Sequence, residues 1–427
     1  MNIMGTDIYS LCEKLFHINR SITGDGLRET LTIIKRELPR LKIHEIPSGT
    51  KCFDWTIPKE WNLREAYILD PEGNKIVDFK ENNLHVVGYS VSIDKSLSLS
   101  ELNRHLYSLA KFPDAIPYIT SYYGETWGFC LPHSQREQLK DGKYKVYIDS
   151  NLKDGSLTYA ELLIKGKCEQ EIFLSTYVCH PSMANDNLSG PSLITYLAKY
   201  IQKIKNRRYS YRIIFIPETI GSIMYLSKNI EHLKKYVVAG FNVTCVGDNN
   251  NYSYLPSRKG KTLADKVALH VLKHLVHNIK EYSFLDRGSD ERQYNYPGVD
   301  LPVCSVMRTK YGEFDEYHTS LDNLAYISPD GLNGSYEVYR KIIESIENNY
   351  TYMLNELCEP QLGKRGLYPT VSTKKTHAIV NNMMNFLVYC DGKLDLVEIA
   401  EKVKTPIWDL YDIANGLISN KLIKIVN

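Results

Sequence analysis

From residue 171 onward the chain alternates between two hydrophobic periods. Continuous apolar runs at 172–179, 211–216, 237–246 and 301–306 have the length of strands buried on both faces. After each run, apolar positions recur three and four residues apart, over 191–205, 220–233, 262–277 and 329–347. That spacing predicts amphipathic helices. Strand followed by helix, four times over, predicts an α/β core with a mostly parallel sheet covered on both faces. Such sheets assemble their sites in the loops beyond the carboxyl ends of the strands.

The rest of the chain departs from this rhythm. Residues 7–38 read as two helices flanking the loop Ser21–Gly26. Between 42 and 167, short β-rich runs at 66–69, 75–77, 85–91, 145–148 and 157–162 are separated by turn signals such as Pro71-Glu72-Gly73 and Asp141-Gly142. One helix is expected at 98–109, with Ser98 and Glu101 at capping-box spacing. These features predict a β-rich domain, 46–167, inserted into a discontinuous core formed by 1–45 and 168–355. The aromatic stretch from Tyr118 to Cys130 is either packed interior or a wall of a substrate pocket. A linker covers 360–369. Beyond it, helices at 377–390, 395–403 and 406–418, a turn at Asp391-Gly392 and a strand at 421–426 predict a winged-helix domain over 370–427.

Composition narrows the class of partner. The 427 residues are 43% hydrophobic and 24% charged, as in ordinary globular proteins. A net charge of +2 carries no bulk signature for nucleic acid or an anionic membrane. The expected third helix of the tail carries Asp409 and Asp412 and no Lys or Arg, so nucleic acid is not an expected partner there. Docking or homo-oligomerisation is the expected role. No run is long and apolar enough for a membrane span or a signal peptide. Nine cysteines without a CxxC pair fit a reducing compartment, so a cytoplasmic protein is expected.

Candidate chemistry gathers at the strand ends. His180 and Asp186 follow the 172–179 run, Glu218 follows 211–216, Asp248 follows 237–246, and His318 lies beyond 301–306. Alone, each has an ordinary role: a structural histidine, an N-cap, a first-turn carboxylate. Two histidines and several carboxylates converging on one sheet edge suit a metal, with zinc the natural choice for such a mixed set. Asp290, Glu291 and Arg292 are expected to line the same edge, and Arg258 and Arg308 could hold a substrate carboxylate.

These segments resemble the zinc aminopeptidase family that includes bacterial leucyl aminopeptidases and the related glutaminyl cyclases. The resemblance rests on Tyr-Val-Cys-His180-Pro-Ser, Asn-Asp186-Asn-Leu-Ser-Gly, Pro-Glu218-Thr-Ile-Gly-Ser, Gly-Ser-Asp290 and Tyr317-His318-Thr319 with Asp322. With Gly363-Lys-Arg-Gly-Leu-Tyr-Pro369, it is closest to a bacterial subgroup with an inserted domain and a winged-helix tail, a subgroup associated with polysaccharide biosynthesis. It implies an aminopeptidase-like metalloprotease fold. His180, Asp186 and His318 would be ligands of one or two zinc ions, and water would be the nucleophile of amide hydrolysis with Glu218 as general base. The implied substrate is a small peptide or an N-acyl or aminoacyl compound, sugar derivatives included. Two departures stand out. Thr219 takes the position of a ligand carboxylate, and the later Asp falls near Thr244, with Asp248 a few residues on. These departures motivate an alternative: a catalytically altered binding or regulatory protein whose tail contacts protein or nucleic acid.

Overall fold

The apolar runs become the middle of an eight-stranded sheet. Its order is Lys42–Pro47, Ser156–Ile164, Ser210–Ile216, Glu171–Tyr177, Val237–Asn242, Val303–Met307, Tyr252–Leu255 and Ile279–Glu281. This computed structural model describes residues 3–367 and 374–426. The four central strands pair in parallel. Antiparallel pairings flank them, so the sheet is mixed. Every residue of Glu171–Tyr177 is buried, which is why its apolar residues do not alternate with exposed polar ones, and the buried Glu171 is paired with Arg212. The third expected strand, 237–246, stops at Asn242 because its continuation bonds elsewhere: the Val246 N–H donates to Ser189 Oγ at 3.0 Å.

Ser156–Ile164, expected in the β-rich domain, pairs in the large sheet, whereas residues 60–153 build a separate antiparallel sheet in the order Lys75–Asp78, Glu60–Leu69, Lys143–Lys153 and Ile93–Ser98. Ala66, Ile68, Val146, Ile148 and Phe129 form its interior. The helix expected at 98–109 is a single turn, Leu99–Leu102, closed by the Ser98–Glu101 capping box. It gives way to a 3-10 turn and then to the strand Leu106–Tyr107, which pairs with Phe129–Cys130. His105 stacks on Trp127 at 3.7 Å. Strand pairing and stacking outweigh the weak helical preference of the segment.

A charge cluster ties the N-terminal helix Asp25–Glu37 to both sheets. Arg28 pairs with Asp25 at 2.9 Å, with Glu45 at 2.8 Å, and bidentately with the buried Glu60. Glu60 also accepts from the Ser156 N–H at 3.0 Å. Burial alone would raise the Glu60 carboxyl, but Arg28 and the Ser156 amide bring it down to about 2. A folded-state value below the unfolded one (about 4.3) stabilises at neutral pH, and that stabilisation is lost as pH falls from there toward the folded value. Arg28→Ala is therefore expected to cost about 3 kcal/mol at pH 7, because it leaves a buried carboxylate unpaired. The gap between variant and parent should close as pH drops to about 2. Equal urea midpoints for the two proteins at pH 7 would refute this role.

The chain divides into two compact units, 1–260 with 280–337, and 261–279 with 338–427. The second unit contains the helices Leu263–Leu275, Lys374–Val388, Leu396–Val403 and Tyr411–Ser419, and a sheet ordered Asp391–Asp395, Thr351–Leu354, Ile423–Ile425. Asp391-Gly392, expected to be a turn, opens a strand with a register shift. The expected domain start at 370 and residues Tyr368 and Pro369 of the linker lie outside the described residues. The helix expected at 262–277 belongs to this unit through its polar face. Lys266 bonds Asp395 at 2.8 Å and Glu398 at 3.0 Å. His270 Nε2 accepts the Ile407 N–H at 2.9 Å, which leaves the ring proton on Nδ1, facing Glu401 at 2.7 Å. Burial holds this imidazole below its ordinary value. Among the described residues, no helix is long and apolar enough to cross a membrane.

Candidate metal centre

Three segments far apart in sequence meet at the carboxyl ends of the central strands. The Glu171–Tyr177 strand runs out at Val178, and His180 follows, 5% exposed. Its carbonyl accepts from the fully buried Arg20 guanidinium at 2.9 Å. Asp186 sits in the tight turn Ala184–Leu188, immediately before the helix Ser189–Lys203, and is fully buried. It caps no helix by its side chain. His318 has a left-handed backbone, φ 55°, and a side chain about one-third exposed. His318 Nε2 lies 3.1 Å from Asp186 Oδ2, and His180 Nδ1 lies 3.6 Å from Asp186 Oδ1. His180 Nε2 is 3.5 Å from Glu218 Oε2.

Three buried atoms here have no hydrogen-bond partner: His180 Nδ1, Asp186 Oδ2 and His318 Nε2. Orphaned buried polar atoms are costly, and three aimed at one another suit a cation between them. The donor atoms of the three residues lie within 4.8 Å of one another. Tetrahedral zinc with bonds near 2.0–2.1 Å sets its donors about 3.3 Å apart. Zinc therefore fits these residues. Without a cation the group balances its own charge. Burial disfavours both charged forms, yet Asp186 holds the His180 imidazole well above its ordinary range, and His180 and His318 hold Asp186 well below its own.

A second layer of side chains fixes the first. Asp322 Oδ1 and Oδ2 accept the N–H groups of Asn185 and Asp186 at 2.7 and 2.8 Å, and the Asp322 carbonyl accepts that of Ala184 at 2.8 Å. Burial pushes the Asp322 carboxyl up to about 7 in spite of these donors. The Tyr177 hydroxyl bonds Asp186 Oδ1 and lies 2.6 Å from Thr244 Oγ1. Ser289 Oγ donates to Glu218 Oε1 at 2.8 Å and leaves Oε2 directed at the histidine. Thr219 has a positive φ of 61°, and its N–H donates to Asp290 Oδ1 at 2.8 Å. Ser222 Oγ donates to the same oxygen. Burial, and then the nearby Glu218, raise the Asp290 carboxyl to about 8.

The stretch around Tyr118 closes one side of the centre. The Tyr118 ring stands 5.4 Å from that of His180 and 5.2 Å from that of His318. Tyr317 stacks on His318 at 3.9 Å. The Tyr118 N–H donates to the His318 carbonyl at 2.8 Å, and the Ser320 N–H to that of Ile116 at 2.8 Å. The first residues of the aromatic stretch 118–130 thus wall the centre, while Phe129 and Cys130 are interior.

Other candidates lie outside the three-residue cluster. Both Asp248 oxygens are engaged, by Asn250 N and Thr309 Oγ1 on one side and by Asn185 Nδ2 and Thr309 N on the other. Glu291 accepts from Gly288, Ser289, Asn242 and Tyr311. Arg292 Nη2 donates to Thr219 Oγ1 at 2.6 Å. Arg258 pairs with Asp300, and Arg308 lies 4.1 Å over the Tyr252 ring. Tyr177, a strand tyrosine, has no distinctive spacing in the sequence, while Ser289 and Asp322 stand within or beside the quoted segments but carry no role that spacing alone assigns.

Residues 9–349 match the sequence family described as Domain of unknown function (DUF4910). The chain belongs to that family. Residues 350–425 of this DUF4910 protein match a winged helix-turn-helix family. A Clostridium acetobutylicum protein, provisionally named a polysaccharide biosynthesis protein with an aminopeptidase-like domain, is 49% identical over 424 residues, covering 99% of this chain and 97% of that one. A crystal structure from the same organism, provisionally called a peptidase, superposes with a TM-score of 0.94 at 48% identity, covering 100% and 97% of the two chains. A zinc aminopeptidase from Bacillus subtilis reaches a TM-score of 0.57 at 12% identity, over 80% of this chain and 94% of that one. The DUF4910 core thus has the aminopeptidase-like fold that its motifs resemble, followed by a winged helix.

Proposed function

We propose that the protein is a zinc-dependent hydrolase of amide bonds in which His180, Asp186 and His318 hold the metal and Glu218 is the general base. The observation that carries this reading is the set of three orphaned donor atoms converging beside Glu218. A bound zinc supplies Lewis-acid polarisation of a carbonyl and lowers the pKa of water. Glu218 Oε2, steadied by the Ser289 hydroxyl on its other oxygen, takes the proton of the attacking water and returns it to the leaving nitrogen. Tyr118 and Tyr317 shield the histidines from bulk water and present ring faces and edges to a substrate. The substrate is a small peptide or an N-acyl or aminoacyl compound, and the relative's name makes sugar derivatives part of the panel to test.

The experiment measures metal content and hydrolysis of aminoacyl and N-acyl amides, including N-acyl amino sugars, by the zinc-loaded protein and by His180→Ala. Hydrolysis that follows zinc and disappears in the variant supports the reading; metal-free protein after loading ends it. Thr219 and Thr244, standing where the family has carboxylates, favour a second reading, a ligand-binding protein on an altered enzyme scaffold. Steady turnover of any of these substrates excludes it. We further propose a cytoplasmic setting, supported by nine cysteines that are all unpaired. The helix Tyr411–Ser419 carries Asp412 and no cation, so we propose that the winged helix docks protein rather than DNA. Duplex DNA at about 50 mM salt should give no anisotropy change with micromolar protein, and saturable binding that weakens with salt would overturn this proposal.

A further inference from the structure

We infer that this centre holds one metal ion per chain and not two. The inference rests on the zinc reading above and sharpens it by counting ligands. Asp186 Oδ1 faces His180 and Asp186 Oδ2 faces His318. Two ions sharing Asp186 would each have one imidazole and one carboxylate oxygen. Catalytic zinc sites use three protein ligands and keep one position open.

Neither half-site has a third ligand of its own in the cluster of donor atoms, and the free oxygen of Glu218, 3.5 Å from His180 Nε2, is the one assigned as base. On the Oδ1 side stands the Tyr177 hydroxyl, bonded to that oxygen and backed by Thr244 Oγ1 at 2.6 Å. These two neutral hydroxyls fill the place where a second ion would need a carboxylate. Thr219 Oγ1 accepts the Arg292 guanidinium at 2.6 Å, which sets a cation where a ligand oxygen would be wanted. Most of the neighbouring carboxylate oxygens are committed. Both oxygens of Asp248 and both of Asp322 accept hydrogen bonds, and Asp290 Oδ1 accepts two, so that of these three residues only Asp290 Oδ2 has no partner. Glu218 has one free oxygen, which serves a single role. One ion bound by His180, Asp186 and His318 together has the three ligands that the count requires.

The test counts ions on the full-length protein. The chain is loaded with excess Zn2+ or Co2+, desalted, and assayed by plasma mass spectrometry and native mass spectrometry. One ion per chain is expected, and the Co2+ form should give the paramagnetic resonance of an isolated ion. His180→Ala and His318→Ala, each checked for a parental circular dichroism spectrum, should both fall to less than about one-tenth of an ion. Under a two-ion arrangement each variant would keep one. Two ions in the parent, or one ion retained in either variant, overturns the inference and leaves the zinc reading standing. No ion in the parent overturns both.

Discussion

Glu218→Gln is expected to lower turnover of a hydrolysed aminoacyl or N-acyl amide by about 10²–10⁴-fold, the range general-base catalysis contributes. The amide is nearly isosteric with the carboxylate, and its oxygen can still accept the Ser289 hydroxyl that Glu218 Oε1 accepts at 2.8 Å. The side chain should stay in place and lose only its capacity to take a proton. KM should therefore move little while kcat falls, the pattern of a contribution realised in the transition state. Metal content should equal that of the parent, since Glu218 is not among the three clustered donors. Steady-state kinetics with metal analysis on the same sample checks both halves. An unchanged kcat removes Glu218 from the chemistry. A lost ion makes it a ligand instead and leaves the base to another group.

Asp322→Ala is expected to cost stability and metal affinity together. The carboxylate is fully buried and accepts two backbone N–H groups, those of Asn185 and Asp186. Alanine leaves both donors without partners, at about 1–3 kcal/mol each, so about 4 kcal/mol in all. The same donors fix the turn that presents Asp186. Loss of a group that orients a ligand typically weakens metal binding about 10–100-fold. Denaturant unfolding of the metal-free protein and competition with a chelating dye measure the two losses separately. A variant with parental stability and weakened zinc binding would limit Asp322 to orienting the turn. The converse would make it purely structural.

The parts of the fold that were legible from sequence are those with a strong period. The buried strand Glu171–Tyr177 and the helices after it announce themselves because both faces, or one stripe, must be apolar. Since parallel strands end at one edge, the sequence places His180, Asp186 and His318 near one another, and their donor atoms do lie within 4.8 Å of one another. Short elements were not legible. Thr351–Leu354 and Ile423–Ile425 are too brief to carry a period, and the Asp391-Gly392 turn signal is overridden by pairing with Thr351–Leu354. The helix expected at 98–109 had helical spacing but lost to a tertiary partner, Phe129–Cys130. The placement of Leu263–Leu275 depended on Lys266 and His270 finding Asp395, Glu398 and Glu401, acceptors more than a hundred residues away that no local pattern reveals. The sequence also left Tyr118 between packed interior and pocket wall. Its ring stands beside both histidines, a contact that no local pattern reveals.

The backbone bond from Tyr118 to the carbonyl of His318 has a thermodynamic consequence. The inserted segment and a candidate metal ligand share one mechanical element, reinforced by the Ser320–Ile116 bond beside it. A ligand that prefers one position of the segment around Tyr118 therefore biases the His318 loop as well. Such coupling is reciprocal: whatever factor a ligand on the inserted segment applies to zinc affinity, zinc applies to that ligand's affinity. Titrating one at fixed levels of the other would measure that factor from either direction.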